Sequence, residues 1–201
     1  MVRLARLGLI SVLLAPVPGA VAAQAAAPAL PTWRIDAGHS ELTFRIRHLM
    51  SRVSGTFREW SGTIQANPAD WSSASVEVSI KAASIDTRND SRDTDLRSEK
   101  FFDVANHPTI TFRSTKVEAI GTTLRITGEL TIRGVTRPVV LDGAVLGVNE
   151  GQRPRAGFEA SATINRLDYG VTYNRIVEGG GTLLGDDVQI DIAIEAVQQE
   201  G

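Results

Sequence analysis

The 201-residue chain has no cysteine. That absence excludes disulfides, thiol nucleophiles, zinc–thiolate centres and iron–sulfur clusters, and it leaves packing alone to hold the fold. Neither sign of charge is in excess. Twenty-one basic residues face 23 acidic ones, a net charge of -2, and the basic residues are dispersed, which argues against a nucleic-acid partner. Hydrolase signatures are missing too: there is no G-x-S-x-G elbow and no H-E-x-x-H. The acid-rich run DTRNDSRDTD (86–95) lacks the glycine and terminal glutamate of a calcium loop, and Arg88, Arg92 and Arg97 interleave with its acids. A surface salt-bridge network is its expected use. Gly179-Gly180-Gly181 has no following lysine for phosphates, and Asp186 and Asp187 are adjacent on a strand start and point apart. No nucleophile–base constellation emerges, so no catalytic residue, cofactor or metal is expected, and the chain does not read as an enzyme.

Long apolar runs are confined to the N-terminus. Arg3 and Arg6 precede a short apolar stretch, Leu7 to Val17, and Val21-Ala22-Ala23 supplies small residues for a signal peptidase. Residues 1–23 read as a cleavable signal peptide and 24–31 as a flexible leader, with one domain over 32–201. The stretch is too short to span a bilayer comfortably and two prolines, Pro16 and Pro18, stand at its end, so no membrane anchor is expected after cleavage. Without Arg3 and Arg6 the remaining 19 basic residues face 23 acidic ones, a net charge of -4. The expected location is the periplasm.

What the domain has in abundance is alternation. In HSELTFRIRH (39–48), Leu42, Phe44, Ile46 and His48 point one way while Glu41, Thr43, Arg45 and Arg47 point the other. The pattern returns in SVEVSIKA (Val76, Val78, Ile80), TITFRS (Ile110, Phe112), TLRITGELTI (Leu124, Ile126, Leu130, Ile132), GFEASATI (Phe158, Ala160, Ala162, Ile164) and DVQIDIAIEA (Val188, Ile190, Ile192, Ile194). Segments 53–66 and 137–148 are strand-like but uneven, as bulged or bent strands are. Turn signals separate the segments at Asn67-Pro68, His107-Pro108, Ile120-Gly121, Arg133-Gly134 and Asn149-Glu150-Gly151. This is an all-β domain of about eight antiparallel strands, and periodicity leaves a sandwich and a closed barrel both open. Small inward residues (Ala82, Gly128, Ala160, Ala162) permit an internal cavity.

Residues 84–108 break the rhythm. Asp90 as N-cap, with Asp93 in the first turn and Arg97 four residues further on, predicts one short polar helix after the third strand, followed by Phe101 and Phe102 that need burial. Two of the three histidines, His39 and His48, bracket the first strand. In a regular strand they face opposite sides roughly 30 Å apart, which rules out a shared ion. His107 is expected to hydrogen-bond locally beside its proline.

These motifs together carry a resemblance. WRIDAGHSELTFRIRHLMSRVSGTFREWSGTI, SIDTRNDSRDTDLRSEKFFDVANHPTITFRST, GELTIRGVTRPVVLD and RAGFEASATINRLDYG, in this order, resemble the YceI-like family of periplasmic polyisoprenoid-binding proteins. The resemblance spans nearly all of the domain, and the loop 172–186 departs from it most. It implies an eight-stranded antiparallel lipocalin-like barrel that holds a long isoprenoid for transport, storage or sequestration, and it is compatible with a homodimer. Other apolar cargo (a fatty acid, fatty amide or quinone), an enzyme acting on such lipids and a filled barrel without ligand are the rival readings. On the barrel reading, the alternation assigns Phe44, Ile46, Val78, Ile80, Phe112, Leu130, Phe158 and Ile164 to the ligand-facing wall. Leu96, Phe101 and Phe102 close one end, and His48, Arg92 and Arg97 are candidates for the head group.

Overall fold

The computed structural model describes residues 29–178 and 180–200; the expected signal peptide and most of the leader lie outside the described residues. The described strands are β1 (Thr32–Ile35), β2 (Glu41–His48), β3 (Ser51–Phe57), β4 (Trp60–Asn67), β5 (Asp70–Lys81) and β6 (Ile85–Asp86). They continue with β7 (Thr109–Ile120), β8 (Thr123–Ile132), β9 (Val135–Asn149), β10 (Arg155–Asn165) and β11 (Leu184–Gln198), and α1 spans Asp90–Arg97. Every pairing is antiparallel. The ring runs β1-β4-β5-β7-β8-β9-β10-β11 and closes where β11 returns to β1. This is the closed eight-stranded barrel, with one short helix after the long strand β5.

Local sequence explains the joints. Arg133 and Gly134 both have left-handed backbone (φ 50° and 73°), the geometry of a two-residue hairpin turn, and they set Ile132 opposite Val135. The uneven segment 53–66 divides at Arg58 and Glu59 into β3 and β4. β4 pairs with β5 inside the ring, whereas β3 pairs with β2 and the short β6. The expected first strand, here β2, is preceded by another. β1 zips to the last residues of β11, then a single turn of 3₁₀ helix (Ala37–His39) intervenes before β2 pairs with the first part of β11. His39 therefore stands on that turn rather than on the strand, and its Nδ1 lies 3.0 Å from Asp36.

Two expectations about the polar segment change. The helix cap is Asn89, whose side chain accepts from the Arg92 amide at 3.0 Å, and Asp90 is the first helical residue. Nor do the arginines form a surface network with the acids. Asp93 is buried and accepts from both the amide and the hydroxyl of Thr87 (2.9 and 2.5 Å). Arg92 donates to the Thr87 hydroxyl and carbonyl, and Arg97 donates to the carbonyls of Ala83 and Ile85. Irregular chain packed on a barrel leaves carbonyls that need donors, and arginine supplies several in a rigid fork.

The lower end, where the β7–β8 turn lies, is filled. Trp33 is wholly buried and donates its indole N–H to the Ala66 carbonyl at 3.2 Å. Trp71 packs 6.3 Å from Trp33 and edge-on to Phe158 at 5.1 Å, with Ile64, Val117 and Leu124 around them. Replacing Trp33 with alanine should cost about 3–5 kcal/mol and lower the melting midpoint by on the order of 10 °C, read by thermal and urea unfolding. A loss below about 1 kcal/mol would mean that this end is not what holds the barrel shut.

Candidate ligand-binding cavity

Above that plug the inward faces do not meet. Leu42, Phe44 and Ile46 of β2, Val76 and Val78 of β5, and Val188, Ile190 and Ile192 of β11 point inward by alternation yet are only partly buried. An apolar side chain that faces a barrel interior and keeps accessible surface borders empty space. Two chambers result, a lower one of about 160 Å³ and an upper one of about 300 Å³. Phe44, Ile132 and Ile190 line both and so form the boundary between them.

Two glycines determine where the aromatic rings rest. A Cβ on Gly55 would stand 2.5 Å from Cζ of Phe44, so that ring lies directly on the bare backbone of β3. Likewise a Cβ on Gly128 would meet the Phe112 ring at 2.5 Å and the Arg113 carbonyl at 2.6 Å. The room anticipated at Gly128 is thus occupied by Phe112. Missing side chains serve here as seats for rings, and the rings then form the wall.

Val78, Ile80, Phe112, Leu130 and Phe158 border the lower chamber. Ile46, His48, Arg92, Leu96, Phe101, Phe102 and Ile164 border the upper one, with Leu96, Phe101 and Phe102 entering from α1 and the loop behind it. Phe102 packs edge-on to Phe57 at 5.9 Å. Arg97 does not reach either chamber; its bonds to Ala83 and Ile85 fasten α1 to the chain before it. The lower chamber also takes in Trp60, Trp71 and Ile35.

Polar side chains gather at the upper chamber: His48, Arg92, Asp95, Arg166, Tyr169, Tyr173 and Arg175, whereas the lower one is bordered by just two polar residues, Thr43 and Glu159, both on the outward parity of their strands. Arg166 is buried and donates to the carbonyls of Gly185 (2.8 Å), Val171 (2.5 Å) and Tyr173 (3.0 Å) and to Asp186 (3.2 Å). Burial lowers its pKa, and the Asp186 carboxylate acts in the opposite direction. Burial also raises the Tyr169 phenol above its ordinary value, with the charge of Asp168 adding to the effect, so it remains a neutral hydroxyl at physiological pH. Sequence reasoning did not single out Arg166, Tyr169 or Tyr173. The motif NRLDYG that contains the first two could have drawn attention, but Tyr173 lies in the least family-like loop.

Outside the cavity, ligand atoms of Asp36, His39 and Glu195 converge within 4.8 Å. The Arg155 guanidinium already bridges Asp36 and Glu195, so a cation is in place without a metal.

Residues 33–196 match the YceI-like domain family. The chain is 39% identical over 170 residues to Protein YceI of Salmonella arizonae and to a UPF0312 protein of Pectobacterium atrosepticum, in each case covering 81% of this chain and 83% of the relative. Among solved structures it is similar to the Campylobacter jejuni YCEI protein (TM-score 0.68, 34% identity, 77% of this chain and 91% of that one). A polyisoprenoid binding domain from Saccharophagus degradans shares the fold (TM-score 0.63, 17% identity, 83% and 98%).

Changing Gly55 to alanine should drive the Phe44 ring off its seat into the interior, at a cost of about 1–3 kcal/mol in urea unfolding. Titration with an apolar fluorescent probe should show reduced uptake. A variant with unchanged stability and uptake would mean that the ring is not wedged between wall and cavity.

Proposed function

The chain belongs to the YceI-like domain family, and on that premise we propose that it carries a long isoprenoid lipid in the barrel. One observation carries this reading. The interior is hollow and largely apolar along its length, plugged at the lower end by Trp33, Trp71 and Phe158, and its polar side chains are concentrated at the upper chamber. A cavity closed at one end and polar at the other takes an amphiphile in one orientation, tail first. The Saccharophagus degradans domain of like fold supports the choice of an isoprenoid.

The energetics favour a chain over a compact ligand. Each buried methylene contributes about 0.8 kcal/mol, so one five-carbon isoprene unit supplies roughly 3 kcal/mol before association costs. A few units therefore give tight binding. Phe44, between the chambers, sets whether the tail passes from the upper one to the lower. His48 and Arg92 stand where the head group would rest, and Arg92 Nη1 has no hydrogen-bond partner among the described residues. The role is sequestration or delivery without chemistry, in an exported protein released by cleavage of residues 1–23.

Native mass spectrometry of gently purified protein should detect a co-purified lipid, and polyprenyl phosphate or a quinone should raise the melting midpoint. Neither signal appearing would overturn the carrier reading. Recovery of a fatty acid or fatty amide would keep the carrier and replace the cargo. Ile190→Glu places a charge on the wall shared by both chambers and should reduce loading at least about ten-fold, with circular dichroism confirming the fold. Undiminished loading in a folded variant would put the lipid elsewhere.

A further inference from the structure

We propose that the upper rim of the barrel is a docking surface for an anionic lipid bilayer, formed by the β2–β3 turn and the hairpin-like segment before β11. The inference extends the carrier reading by saying where a cargo held in a membrane would enter. It is carried by three exposed apolar residues, Leu49, Met50 and Ile176, which are 44%, 104% and 87% exposed.

The three residues belong to one continuous edge. The Leu49 amide donates to the Leu183 carbonyl at 2.8 Å, and the Leu183 amide donates to the Arg175 carbonyl at 2.8 Å. Ile176 pairs with Thr182 in an isolated bridge, and Arg47 reaches the Thr182 carbonyl at 3.4 Å. The same edge borders the upper chamber through His48, Arg175 and Leu183. Apolar tips and cavity mouth are thus joined by backbone hydrogen bonds.

The turn is built against local preference. Leu49 opens a two-residue hairpin loop with φ 51°, a position that favours glycine or asparagine. Leucine there meets a steric penalty, and Met50 beside it stands fully in solvent. Packing within the chain does not account for either residue.

Charge selects the partner. Segment 47–52 holds Arg47 and Arg52 and no acid, while 173–182 holds Arg175 and Glu178. None of these three arginines has a carboxylate partner among the described residues. The whole chain is net negative, so this basic rim stands out against it. Apolar tips flanked by arginine suit the interface of a bilayer that contains anionic lipid.

Flotation with vesicles of phosphatidylcholine and about one third phosphatidylglycerol tests this directly. Wild-type protein should float with these vesicles and not with pure phosphatidylcholine, and salt should weaken the association. Leu49→Ser/Met50→Ser/Ile176→Ser should reduce the bound fraction at least about ten-fold. Arg52→Glu should reduce it about five-fold or more. Ile120→Ser/Leu146→Ser, which removes exposed apolar residues from the opposite end, should leave it unchanged. No flotation by wild type, equal flotation by the triple variant, or loss only in the opposite-end variant would overturn the proposal. A change in sedimentation of the triple variant, with no vesicle effect, would make the tips a contact between copies and also overturn it. Cargo loading from ethanolic solution separates the two readings. Docking without loading removes the carrier and keeps the surface; loading without docking does the reverse.

Discussion

Ring closure at β1 is the constraint on which the molecule depends. Three residues of β1 pair with the end of β11 (Trp33 with Gln198, Arg34 with Val197, Ile35 with Ala196), and the same strand pairs on its other side with β4. That short strand removes both free edges of the sheet at the lower end, where an open edge would invite pairing with other chains. It also places Trp33 in the centre of the lower core. A closed ring of eight strands has a set girth, and one-faced strands must turn all their apolar side chains inward whether or not those side chains fill it. At the lower end two tryptophans and Phe158 are large enough. Higher up, mostly valine, leucine and isoleucine line the wall, and space remains.

The upper half obeys a different rule. Here β11 pairs with β2, β2 with β3 and β3 with the short β6, outside the eight-strand ring, and irregular chain and α1 cover the end. Irregular backbone against an apolar interior brings carbonyls without ladder partners, and unpaired ones are costly. Three arginines answer that need. Arg92 binds Thr87, Arg97 binds Ala83 and Ile85, and Arg166 binds Val171, Tyr173 and Gly185. Polarity at this end is therefore first a consequence of how the barrel is capped. The proposed head-group site uses donors left over from that structural task, and Arg97 shows the limit, since both of its bonding nitrogens already serve backbone carbonyls.

Much of this was legible beforehand, for reasons that differ by element. The inward set of β2, β5, β8, β10 and β11 followed from alternation, because a strand's faces are decided by neighbours two positions away. Turns at Arg133-Gly134 and Asn67-Pro68 were readable because backbone preference is local. The helix was readable too, although its cap moved by one residue to Asn89. Harder to read was the acid-rich run. Asp93 looked like a surface partner for Arg97, yet it turns inward to Thr87, a choice made by packing beneath the helix.

The sequence alone therefore determined an all-β domain with one wet and one dry face on each strand, a single short helix, and a chain that resembles one family along its length. Those properties rest on interactions within a few residues. Only the tertiary structure decided that the lower end is plugged while the middle is hollow. The same holds for Phe44 and Phe112 resting on Gly55 and Gly128, and for Arg166 serving the backbone of a distant loop. Each of these depends on register between segments far apart in the chain, and alternation within one strand carries no information about what stands across the barrel.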